Sequence, residues 1–169
     1  LLLGVLSLLP TGVAVAGEDE ELLAMVERFA AMTIEIEDED DSRRRQDRAL
    51  RNDLTAMVDA YAELEAHIVS LMEADPERWA VVGPLRLAQA REAMGVRIRS
   101  SDIPSYLDEE QSAVYREALV DKGNAQLTTA EKAYELALAR SIEAGVEGPL
   151  ADEARAGLES VGRLLQAEN

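Results

Sequence analysis

His67 is the only histidine in the chain and the one side chain that ordinarily titrates near neutrality. It stands beside Ile68 on a helical segment, with Glu63 four residues earlier. A zinc or transition-metal site would need further imidazole or thiolate ligands, and the sequence has no cysteine and no second histidine. His67 is therefore expected at the rim or in the core of a helix packing. The carboxylates of Glu35, Glu37, Asp38, Glu39, Asp40 and Asp41 are the hard oxygen donors that Ca2+ prefers. They lack the central glycine and closing glutamate of a calcium-binding loop, so a solvated acidic turn is expected there, with no metal or cofactor assigned. Close carboxylate pairs arise by chance in so acidic a chain, and neither a nucleophile motif nor a phosphate-cradling glycine loop occurs. No catalytic residue is assigned, and the chain reads as a non-enzyme. Aromatic side chains remain as anchors for a partner, since they supply much of interface energy. Tyr106 and Trp79 are the candidates, with Tyr115 and Tyr134 beside them, and the helical placement of Tyr115, Tyr134 and Trp79 equally suits core packing.

The formal charge is −17, from 34 acidic and 17 basic residues. Residues 18 to 75 hold 18 acids against 6 bases, so the first half is the more acidic. Such a surface repels phosphates and anionic headgroups; a basic partner protein is expected rather than nucleic acid or membrane. Leu1 to Leu9 are almost all apolar, and Ala14-Val15-Ala16 precedes Gly17 and an acidic stretch. That pattern predicts a secretory signal peptide over 1–16, cleaved before Gly17, and a protein working in the periplasm or cell envelope. Neither Met nor a basic flank stands before Leu1, so the leader is read as starting upstream. Pro10 and Gly12 interrupt the apolar run, which is short for a membrane span.

Abundant Ala, Leu, Glu and Arg, with few aromatic and β-branched runs, predict an all-α fold. Leu22, Val26, Phe29 and Ile36 give a first helix over 18–36, followed by a turn at 38–42 with Ser42 as N-cap. Leu50, Leu54, Met57, Tyr61, Leu64, Ile68 and Leu71 alternate spacings of four and three, a coiled-coil-like seam on a helix over 43–74. Asp75-Pro76 stops it. A helix restarts at Pro76, carries Trp79, Val82, Leu85, Ala88 and Met94 inward, and is kinked or split at Gly83-Pro84. A loop at 102–105 precedes a capping box, Asp108 with Gln111. The next helix covers 109–144 with one stripe from Val114 and Tyr115 to Ile142, either bent or broken at Gly123-Asn124. Gly145 ends it, and Gly148-Pro149 opens a last helix striped by Leu150, Ala154, Leu158, Val161 and Leu165. The domain reading is an acidic helical hairpin over 17–75 and a second helical module over 76–169. Self-association through the 43–74 seam, in a coiled-coil or chaperone-like protein, is the rival to protein–protein scaffolding.

Ala130, Tyr134, Ala137 and Leu138 have the spacing of the second helix of a tetratricopeptide repeat, and Trp79 to Gly83 is similar to the opening of a first one. With Tyr106 to Gln111, Tyr115 to Leu119, Lys122 and Gly145-Val146, residues 76–165 resemble exported tetratricopeptide-repeat (TPR) proteins of the cell envelope of gliding and predatory deltaproteobacteria, the myxobacterial type. Arg86 stands where an aromatic would follow, and no 34-residue self-similarity runs along the chain. The resemblance implies a helical interaction scaffold with Ala130, Tyr134, Ala137 and Leu138 as its packing signature.

Overall fold

A computed structural model describes residues 12–36, 42–145 and 148–167, with backbone alone over 12–16. It is all-α, and no strand occurs among the described residues. The helices are α1 (Gly12–Ala30), α2 (Arg43–Ala74), the single turn α3 (Pro76–Trp79), α4 (Val82–Arg99), α5 (Glu109–Glu143) and α6 (Pro149–Gln166).

Local chemistry sets most boundaries. Asp75 closes α2 and caps α3 through Arg78 N–H donating to its carboxylate at 3.2 Å, and Pro76 occupies the first helical turn. Gly83-Pro84 falls in the first turn of α4, where the missing proline N–H has no helical partner to lose, so the chain is split just before these residues. The Asp108–Gln111 capping box is formed in both directions. Gly145 has φ +64°, the left-handed conformation that a helix C′ glycine allows. The first helix ends at Ala30, earlier than the expected residue 36. Tertiary bonds outcompete helix here: Glu35 N–H donates to Asp53, Ile36 N–H to Asp102, and Asp102 N–H to the Ile34 carbonyl. The proposed cleavage bond, Ala16–Gly17, lies within α1, while residues 1–11 are outside the described residues.

Helix α4 is the axis of the assembly. Phe29, Met57, Tyr61, Leu64 and Ile68 pack with its Val82, Ala90 and Met94 in one core, and Leu127, Ala130, Tyr134, Ala154 and Val161 pack with its Leu85 and Ala88 in another. The first of these cores draws on both sides of residue 75, so the expected hairpin and module share one interior. Four arginines of α4 carry polar ties outward. Arg86 pairs with Asp19 of α1 and Glu153 of α6, Arg91 donates to Gln126 of α5, Arg97 to the Ala30 carbonyl, and Arg99 to the Leu164 carbonyl. These pairings run α1 and α6 parallel to α4. Contacts of Gly83 with Met72 and Ile68, and of Gly123 with Gly95 and Arg99, belong to antiparallel neighbours α2 and α5.

Helix α5 is continuous through Gly123-Asn124. Gly123 is there for proximity: an added Cβ would lie 2.3 Å from Arg99 Cγ and 2.6 Å from the Gly95 carbonyl oxygen. The cost of glycine in mid-helix, about 1 kcal/mol, is offset by close packing of two backbones. Three expected stripe positions differ from the sequence reading: Ala118 is exposed, and Val114 and Ile142 are 62% and 69% exposed. They flank the part of α5 that meets α4 and α6 and have no helix over them.

Gly123→Ala should therefore lower stability by about 1–3 kcal/mol, because overpacking outweighs the gain in helix propensity. Gly162→Ala, on α6 with nothing within 4 Å of the new methyl, should raise it by up to about 1 kcal/mol. Urea denaturation of both variants checks the pair; a stabilised Gly123→Ala would show that α4 and α5 do not cross closely.

Candidate binding groove

The ring of helices around α4 is incomplete. α1 packs on α2, and α5 on α6, but among the described residues α2 does not pack on α5, nor α1 on α6. A groove opens at each gap, and α4 forms part of both floors.

The groove between α2 and α5 has a volume of about 570 Å³ and is the more apolar of the two. Met94 and Ile98 of α4, continued by Ser101 and Pro104 of the following loop, form its floor. Leu50, Leu54 and Val58 of α2 make one wall, and Tyr115 and Leu119 of α5 the other. Leu54 is 43% exposed and Val58 50%, although the heptad reading places Leu54 in the buried seam. The missed signal was Val58, four residues on from Leu54 and off the seam, which widens the apolar stripe to two faces. The other seam residues Leu50, Met57, Tyr61, Leu64 and Ile68 are buried within the monomer, and Leu71 is half-buried against the same core. Six of the seven seam residues are thus engaged inside the monomer, and Leu54 is the one left exposed.

Tyr106 lies at the groove, as a partner-binding residue would. Its hydroxyl donates to Asp47 and the Arg43 guanidinium sits 4.9 Å from its ring centroid, which orients the ring at the mouth. The hydrogen bond to Asp47 raises the Tyr106 pKa, and desolvation adds to the rise. Tyr115 is also raised, first by desolvation and then by the Asp47 charge. Trp79, the other partner candidate, is only 2% exposed and belongs to the core of α1, α2 and α4. Its large apolar surface is consumed in folding, so it offers nothing to a partner. His67 is half-buried on α2 between the seam and solvent. Of the acidic run 35–41, residues 37–41 lie outside the described residues.

The second groove, between α1 and α6, is shaped by a polar network. Glu92 of α4 accepts from Tyr134 Oη of α5 and Ser160 Oγ of α6, each at 2.6 Å. The Tyr134 ring fills the space above Gly157, where a Cβ would lie 2.3 Å from it. Ala130 and Ala137 are fully buried on the same face, and Leu138 packs against that core. All four residues of the repeat-like signature therefore pack together in one core. Close by, Arg86 is 2% exposed and bidentate to Asp19, with Glu153 on its other nitrogen. Burial alone would lower its pKa, but the two carboxylates outweigh that and raise it. This bridge occupies the place where a repeat would carry an aromatic, and it was not legible as a contact in the sequence.

No family model, curated protein or solved structure matches this chain. No helix among the described residues is long and apolar enough to cross a membrane.

Desolvation, then the Glu92 hydrogen bond, pushes the Tyr134 phenol far above the usual tyrosine range. The folded chain then keeps a proton that the unfolded chain loses above about pH 10, so stability is full below that pH and falls as pH rises beyond it. Tyr134→Phe should cost about 1–3 kcal/mol at pH 7 by removing a hydrogen bond to a carboxylate, while making the alkaline decline shallower. Urea melts at pH 7 and pH 11 read both effects; an unchanged alkaline slope would mean that Tyr134 ionises freely in the folded chain.

Proposed function

We propose that this chain is a non-enzymatic helical scaffold or adaptor of the bacterial cell envelope that binds another protein through the α2–α5 groove. The tetratricopeptide resemblance of residues 76–165 implies that role, and the apolar leader-like segment with Ala14-Val15-Ala16 supports export to the periplasm or envelope. The observation that carries the reading is the groove itself. It keeps Leu54 and Val58 of α2 and Tyr106 of the α4–α5 loop facing solvent, in a chain that buries Leu50, Met57, Tyr61, Leu64 and Ile68 of the heptad seam. Exposed apolar side chains lining a concavity with a few polar groups are a usual mark of a binding site.

Capture from envelope extracts tests it. Leu54→Asp and Val58→Asp place a charge in the groove wall without opening the core, since both positions are already half-exposed. They should lose the proteins that the parent retains, with thermal melts unchanged. Leu136→Asp, 46% exposed on α5 but outside the groove, should retain them. The same capture by all three variants would remove the groove from the function.

A further inference from the structure

We infer that the α2–α5 groove receives an amphipathic helix of a partner protein whose apolar ridge is flanked by acidic side chains. The inference rests on the protein-binding reading above and specifies the partner's chemistry. Shape points to a helix. Helices packed at interaxial distances of about 8–10 Å leave room for about six neighbours around a central one. Around α4 four long helices are in place, and the gap between α2 and α5 is one of two vacancies. The walls run from Asp47 to Val58 and from Tyr115 to Gln126, each about 17 Å at 1.5 Å per residue, which is the length of three helical turns. Asp47 acts on Tyr115 at one end, and Arg91 joins Tyr61 to Gln126 at the other, so the two walls run in the same direction. A helix laid along them would present an i, i+3/i+4, i+7 ridge to Met94, Ile98, Leu54 and Leu119.

Charge selects which helix. The chain carries two acids for every base, and the neighbouring Arg91 of α4 is held by Gln126 and the Tyr61 ring. Arg51 and Lys122 also line the groove, one on each wall, and have no ion pair or hydrogen bond among the described residues. The one carboxylate in the lining, Asp47, is engaged by Tyr106 Oη and lies 3.8 Å from Arg43. Among the lining residues bases therefore outnumber acids two to one on a protein of net charge −17, the reverse of what that total charge implies for a partner. A second copy of this chain is disfavoured as occupant by the mutual repulsion of two strongly acidic molecules.

Three synthetic peptides of about 15 residues, sharing one leucine ridge and flanked by Glu, Lys or Gln, test this by fluorescence anisotropy against the full chain. The Glu peptide should bind at least about tenfold more tightly than the Lys peptide, with Gln between them and the difference reduced by salt. In the double variant R51E/K122E, whose melt should match the parent because both side chains are exposed, the order should invert. Equal binding of the three peptides, or an order unchanged by the double variant, would overturn the acidic specificity. Binding of a fluorescent fatty acid to the groove with no peptide binding would overturn the helix occupant. Loss of envelope-protein capture in Leu54→Asp would in either case leave the protein-binding reading standing.

Discussion

Burying Arg86 is the constraint on which the arrangement of α1, α4 and α6 depends. A guanidinium taken out of water loses several kcal/mol of hydration, and only well-placed opposite charges repay it. Asp19 supplies two bonds to the planar fork and Glu153 a third, with Gln89 completing the shell at 3.0 Å. Because those carboxylates come from two different helices, Asp19 from the middle of α1 and Glu153 from the second turn of α6, satisfying one side chain draws both helices to the first half of α4. Arg97 and Arg99 then bind backbone carbonyls near the ends of α1 and α6, so each helix is tied at two levels and its direction is set.

The opposite side of α4 obeys a packing rule instead. Gly95 faces Gly123 so closely that neither position has room for a Cβ, and Leu127 closes over the contact. An antiparallel α5 anchored at that point extends its first turns beyond the end of α4, since Gly123 lies level with Arg99. The same is true of the first turns of α2, where Gln46 exchanges hydrogen bonds with Ser105 in the α4–α5 loop. Two helix ends held apart over a loop leave an apolar trough between them. The groove is thus a consequence of where the glycines place α5 and where Gln46 places α2.

Polar ties and close packing have different functional consequences. The Glu92–Tyr134–Ser160 network and the Arg86 bridge satisfy buried polar groups and lock α4, α5 and α6 into one body. The α2–α5 groove, by contrast, leaves Leu54 and Val58 wet, and Arg51 and Lys122 without an ion pair or hydrogen bond among the described residues.

Local signals were legible in the sequence because their physics is local. The all-α class, the stop at Asp75-Pro76, the Asp108–Gln111 box and the Gly145 terminus each depend on residues within a turn or two. Tertiary structure decided the rest. Whether Gly123 breaks α5 depends on Gly95 and Arg99 across the crossing, and whether Leu54 is core depends on α5 staying away from α2. Trp79 read as a partner anchor because an aromatic's value to an interface and to a core is the same apolar area, and only neighbours show which one uses it. Arg86 looked like a departure from a repeat pattern; its two carboxylates, each 67 residues away, make it the buried centre of the fold. Helical periodicity fixes which face is apolar, but the depth and partner of that face follow from long-range packing that no single helix encodes.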